Sequence, residues 1–531
     1  MSAPDLLALD EVARTATEIE PRPSGRLEAA VVLETIGYRD EDARALGFPD
    51  VFGLADSVKE ASSLYSWDEP FVEAPSRREQ GLTLYLVGMF YNIGWIVMLI
   101  ALFMGGQSLW AAANMPVAVS TAIGLGVVLG LASTGGVQQF AAWKLIYYRS
   151  QGNVPLARFV MRRSLLWGSV VLGGMAVLAG VLEVAVIGLP APLAILSVAF
   201  LLLIGAYRLA MIPVFALKKF VALIAVSALA LASMFTASRL LGAAGVDRVA
   251  AVVISQILGL AVLLCASLAL LWSLVFTDTK EVPNPEEPPF YARRELPKNV
   301  RPPEFWTLAY EGTPYLVYGT MYFVFLFGDR LVSWFAPGLG PLALNYNSTY
   351  QIGVDLALLL LVPITAVKFP LIYRLADYLE ANSRASTVVR PQAFTQSVAR
   401  FHNGLLVRVL VAAGTFAAFA YLGADGIVRI AGGDAQSASI FRLALVGVVL
   451  FSVFLANSVF AMAFRRIRVM AVLLVVAATL NYALGVLLAR TVGPDAIVLG
   501  FILSALFLAG ASSGYILRLR TSADFAYYSA F

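Results

Sequence analysis

The chain has 531 residues, 60% of them hydrophobic and only 14% charged, with a formal net charge of +4. That composition excludes a water-soluble globule, because apolar stretches long enough to span a bilayer fill most of the sequence. A single cysteine and a single histidine exclude a disulfide scaffold and a Cys/His metal centre, and the small positive charge carries no argument for nucleic acid.

Residues 1–80 contain no long apolar run before Leu82, and Asp and Glu crowd the segment from Asp5 to Glu79. They read as an acidic cytoplasmic helical region without a cleavable signal peptide. Within it, periodicity predicts a helix over Arg26 to Ile36 closed by Gly37, a short one opened by Asp40, and a third opened by Pro49-Asp50 and running through Lys59.

From residue 81 onward, apolar runs of about 20 residues predict membrane-spanning helices near 82–105, 117–140, 164–188, 192–216, 218–242 and 249–276. Residues 278–304, rich in Pro and charge, form a cytoplasmic linker. Six further spans follow near 306–335, 350–373, 402–423, 439–462, 468–490 and 495–517. The expected fold is therefore all-α and polytopic, about twelve transmembrane helices in two six-helix halves, 81–277 and 305–531. Runs of this length exclude a barrel, whose strands alternate over about 10 residues.

Basic residues in short loops resist translocation. One alternating set of loops holds Lys144, Arg149, Arg158, Arg162, Arg163, Lys218, Lys219, Arg465, Arg466 and Arg468, and the other is nearly bare. Both termini are accordingly expected in the cytoplasm, with the chain in a bacterial inner membrane.

Functional candidates concentrate at charges within spans, since an ionised group at membrane depth costs roughly 2.5–3.5 kcal/mol on insertion scales and is tolerated chiefly where it faces protein or water. Glu311, Tyr315, Tyr318, Tyr322, Phe325 and Asp329 recur at helical spacing and share one face. We expect this face to line a water-accessible cavity. Asp329 and Asp355 are the candidates for coupling to H⁺ or Na⁺, with Arg330 able to neutralise one of them, and Lys368 completes the expected substrate and ion pathway. Pro314, Pro363 and Pro370 can bend the two helices concerned. His402 is expected at the interface where the ninth span meets the cytoplasm. Glu183 and Arg208 are the other buried charges, paired only if their depths match. No catalytic constellation, metal cluster or phosphate-binding loop is present, so transport is expected rather than catalysis, without a cofactor and without an ATPase in the chain.

The stretch Gly328-Asp329-Arg330-Leu331-Val332-Ser333-Trp334-Phe335, followed by Tyr350 and by Val354-Asp355-Leu356-Ala357-Leu358-Leu359 up to Pro363, resembles the Pel-type exopolysaccharide exporters. These belong to the multidrug/oligosaccharidyl-lipid/polysaccharide flippase (MOP) superfamily. The resemblance implies that the two halves are six-helix lobes that rock about a central cavity, and it implies export of a polysaccharide or lipid-linked oligosaccharide. It also suggests a cytoplasmic glycosyltransferase or synthase partner, with membrane lipids as surroundings. Two alternatives stand beside it: a cation-coupled exporter of small amphipathic molecules, and a membrane scaffold for an envelope-glycan synthase.

Overall fold

The computed structural model describes residues 26–62, 115–150, 154–217, 219–276, 305–335, 342–367 and 391–528, together with Leu9, Val12, Ala13, Thr15, Ala16 and Leu375. The expected first span, near 82–105, lies outside the described residues, as does Lys368. The chain divides into two compact units, one centred on residues 1–80 and one comprising nearly all the remainder.

The amino-terminal unit holds three short helices, α1 (Arg26–Thr35), α2 (Asp40–Ala45) and α3 (Val51–Ser62). Gly37 adopts φ +103°, which ends α1 and turns the chain. Asp40 Oδ1 accepts the Val51 backbone N–H at 3.0 Å, and Asp50 Oδ1 accepts that of Gly53 at 2.7 Å, so two acidic side chains satisfy the open donors of α3. Leu33, Leu54, Ala55 and Val58 close a small apolar core between α1 and α3.

In the membrane unit the first set of helices is α4 (Val117–Ser150), α5 (Val154–Leu182, continued by a π turn Glu183–Ile187), α6 (Ala191–Ala210), α7 (Ile212–Ala216), α8 (Phe220–Ala243) and α9 (Arg248–Leu271). The second set is α10 (Phe305–Ser333), α11 (Ser348–Leu358), α12 (Pro391–Leu422), α13 (Ala424–Ile430), α14 (Ala435–Ala463), α15 (Ile467–Thr491), α16 (Ile497–Thr521) and α17 (Ala523–Tyr528). Among the described residues ten helices are long and apolar enough to cross a membrane. The 29-residue α10, with Glu311, Asp329 and Arg330 in it, is long enough as well.

Each set has a main apolar cluster of its own, with α4 and α10 contributing to both. Leu145, Val160, Leu201 and Leu209 belong to one in the first set, whereas Phe325, Val354, Phe451, Phe454 and Phe501 belong to one in the second. Many membrane helices present apolar side chains outward, such as Val177 and Val186 on α5 and Leu422 on α12, as lipid requires.

α4 and α10 join the two sets. A Cβ built on Gly135 would lie 2.5 Å from the Gly319 carbonyl oxygen, one on Gly136 would lie 2.3 Å from that of Leu316, and one on Gly319 would lie 2.4 Å from that of Gly135. Only glycine permits backbones to touch so closely, the usual way helices associate where lipid leaves no hydrophobic drive between them. α4 crosses α6 in the same manner through Gly126 and Gly130.

Several boundaries differ from the sequence expectation. The third span begins at Val154 and the ninth at Pro391, about ten residues earlier in each case, because amphipathic first turns extend beyond the apolar run. The fourth breaks at Met211, just before Pro213, which cannot donate to the ladder. The asparagine of the sequence Asn347-Ser348-Thr349 caps α11, its side chain accepting the Tyr350 N–H at 3.0 Å.

Candidate functional site

The end of α10 and the first turns of α11 bring five polar side chains together, Asp329, Arg330, Tyr350, Gln351 and Asp355. Arg330 Nε donates to Asp355 Oδ1 at 2.9 Å, and its Nη1 lies 3.3 Å from Asp329 Oδ1 while also reaching the Leu326 carbonyl one turn back. Tyr350 donates its hydroxyl to Asp329 Oδ2 at 2.9 Å. Gln351 Nε2 donates to Asp355 Oδ2 at 2.7 Å, a contact made easy by their i, i+4 spacing on α11. The guanidinium also lies over the Phe327 ring at 5.2 Å.

Burial separates the two carboxylates. Asp329 and Arg330 are fully enclosed, whereas the Asp355 side chain is 48% exposed. One guanidinium therefore serves two acids, leaving the cluster with one more negative than positive charge when both are ionised. The inner acid has its charge offset by Arg330 and Tyr350. The outer acid is half-exposed, and Gln351 Oε1 beside it is buried without a hydrogen-bond partner. Oxygen ligands of this kind, with an excess of negative charge, suit a proton or a hard cation.

The tyrosine face of α10 packs rather than opening to water. Tyr315 stacks on Trp143 of α4 with ring centroids 4.2 Å apart. Tyr318 approaches Phe454 at 6.3 Å, Tyr322 meets Phe451 at 5.8 Å, and Phe325 sits between Phe451 and Phe501. Tyr315, Tyr318 and Phe325 are buried. Glu311, at the other end of the face, is ion-paired with Lys144 and keeps a 45% exposed side chain. Pro314 stands inside α10 one turn from this pair.

Sequence reasoning missed several partners. Lys144 reads as a loop cation, yet it is buried in α4 with its ammonium over the rings of Trp143 (4.5 Å), Tyr147 (5.5 Å) and Tyr148 (5.5 Å). The run Trp143-Lys144-x-x-Tyr147-Tyr148 was the available signal. α12 starts well before His402, which is buried with Nε2 2.9 Å from Asn457 Oδ1. Asn457 Nδ2 donates to both Ser512 and Ser513, which leaves its oxygen to accept from the histidine. Glu183 and Arg208 do not pair. Glu183 accepts from the Ser197 hydroxyl at 2.7 Å, and Arg208 donates to Gln138 and lies over Phe323 at 4.7 Å.

No protein-family profile and no curated protein matches the sequence. Solved structures do match in shape. A MOP superfamily transporter from Pyrococcus furiosus, described as having a binding pocket of reversed polarity, aligns with a TM-score of 0.57 at 13% identity, over 84% of this chain and 96% of its own. An outward-facing multidrug resistance MATE family transporter aligns at 0.56 and 15% identity over 84% and 97%. An inward-facing one aligns equally well, at 0.56 and 13% over 84% and 99%. This chain is thus built on the all-α, multi-pass membrane fold of the MATE transporters of the MOP superfamily.

Proposed function

We propose that the protein is an alternating-access transporter that couples outward movement of a small amphipathic substrate to a cation held at the cluster of Asp329, Arg330, Asp355 and Gln351. The carrying observation is the asymmetry of its two acids. Asp329 is locked by Arg330 and Tyr350, while Asp355 shares the same guanidinium and stands half-exposed. A carboxylate that meets solution in one state and can be enclosed in another changes its proton or cation occupancy between them, which is what coupling requires. Support comes from the fold, which matches transporters described in both outward- and inward-facing states. It comes also from a solved neighbour, the MATE transporter ClbM, whose structure contains Rb⁺. In this reading the chain sits in a bacterial inner membrane among its lipids with both termini cytoplasmic.

The test is transport in proteoliposomes under an imposed pH or Na⁺ gradient, with a fluorescent amphipathic dye as cargo. Asp355→Asn should abolish gradient-driven uptake while the protein still purifies as a folded species. Full uptake by that variant would remove Asp355 from the coupling role.

A second reading, flipping of a lipid-linked glycan alongside a cytoplasmic synthase, is favoured by the run Gly328 to Phe335 and by Trp306 and Tyr310. These two rings are 77% and 70% exposed at the start of α10, where they could meet sugar. The packed state of Tyr315 and Tyr318 counts against it. Gradient-dependent movement of a fluorescent lipid-linked oligosaccharide, with the dye untouched, would favour it.

A further inference from the structure

The two sets of helices meet beside Lys144 in a way that the cation cluster does not use. Lys144 belongs to α4 and Glu311 to α10, so their ion pair joins the sets. Trp143 on Tyr315 does the same, and so does Gln139 of α4, whose amide lies 4.0 Å from Met462 Sδ at the end of α14. Immediately beyond, Arg465 places its guanidinium 5.7 Å from the centre of the Tyr147 ring. Arg465 has φ +54°, the sole positive value outside glycine among the described residues. A left-handed conformation is unfavourable for a residue with a Cβ and persists where surrounding contacts enforce it. All these contacts lie at the end of the bundle that the basic loops assign to the cytoplasm.

The buried ammonium is the unusual element. A charged lysine taken out of water must be repaid by a counter-ion and by ring faces, and Lys144 has one carboxylate and three rings around it. Opening the cytoplasmic side would pull Glu311 and Tyr315 away from it. Midway along the same pair of helices lies the glycine crossing of Gly135, Gly136 and Gly319, and at the far end of α10 lies the acid cluster.

We propose that Lys144, caged by Trp143, Tyr147, Tyr148 and Glu311, is the latch of the cytoplasmic closure between the two helix sets. In this arrangement α10 acts as a lever across the glycine crossing, with the latch on one arm and the cation cluster on the other. Cation occupancy at Asp355 then biases the latch, because Asp355 acts on α10 through Arg330 and the latch acts on the same helix through Glu311. The inference rests on the alternating-access reading above.

The test uses the full chain in inside-out vesicles with Cys265→Ser, since Cys265 is the single cysteine and is exposed. Gln139→Cys reports opening through its labelling by a membrane-impermeant maleimide. Ala456→Cys, at a fully buried position in the second set, reports loss of fold. Lys144→Met should raise labelling at position 139 by roughly five- to tenfold with position 456 still unlabelled, while Lys144→Arg, which keeps the charge over the rings, should stay near the parent rate. A parent-like rate in Lys144→Met overturns the latch. Should Lys144→Met label at position 456, Glu311→Gln decides: a rise supports the latch and a parent-like rate overturns it. Labelling of the parent that responds to an imposed gradient, but not to Lys144, would sink the latch alone. Labelling of the parent that ignores every gradient would sink the transport reading, and the latch with it.

Discussion

Arg330 shows how a single side chain can carry both stability and function. It is fully buried, donates to two carboxylates and to the Leu326 carbonyl, and lies over a ring. Removing the buried partner Asp329 would leave a guanidinium half-compensated in the protein interior, a loss on the order of 3–5 kcal/mol for a buried pair. Asp329→Ala should therefore lower the melting temperature in detergent by many degrees. Asp355→Asn, at a half-exposed position that keeps a hydrogen-bonding amide, should change it little. Equal destabilisation by the two substitutions would contradict the division of labour between the inner and the outer acid.

At the scale of elements, the crossing of α4 over α10 depends on the absence of side chains. Adding one methyl at Gly136 or Gly319 sets it against a backbone carbonyl that has nowhere to move, so Gly136→Ala or Gly319→Ala should cost about 1–3 kcal/mol as overpacking. Gly173, on α5, has nothing within 4 Å of its missing Cβ. There the same substitution removes only the helix penalty of glycine, and Gly173→Ala should raise stability by up to about 1 kcal/mol. Thermal unfolding of the three variants checks the contrast, and a stable Gly319→Ala protein would show that the helices can separate without cost.

For the molecule as a whole, the amino-terminal unit and the membrane unit have cores that share no residue among those described. Leu33, Leu54 and Val58 close one, and the clusters of the helix sets close the others. Each has its own apolar drive to fold. Deleting residues 1–75 should accordingly leave a membrane unit that inserts, purifies and melts near the temperature of the full chain. Failure of the truncated chain to insert would mean that the acidic segment is needed for folding rather than appended to a body that folds alone.

The membrane class was legible in the sequence because hydrophobic length is a local property, and a run of about 20 apolar residues needs no partner to announce a span. The same locality made Asp329, Arg330 and Asp355 visible as charges out of place, and made Asp40 readable as a polar residue opening a helix. Pairing is not local. That Arg330 serves both acids, that Glu183 meets Ser197 instead of Arg208, and that His402 lies inside on Asn457 all depend on which helices pack together and at what depth. Lys144 marks the limit most clearly. Its sequence neighbourhood looks like the basic end of a span, and only the arrival of Glu311 and Tyr315 on a helix far along the chain turns it into a buried ion held by rings. The all-α, multi-pass class was determined by the order of residues, and the site was decided by the tertiary structure, because a buried charge acquires its role from the counter-charges that the fold brings to it.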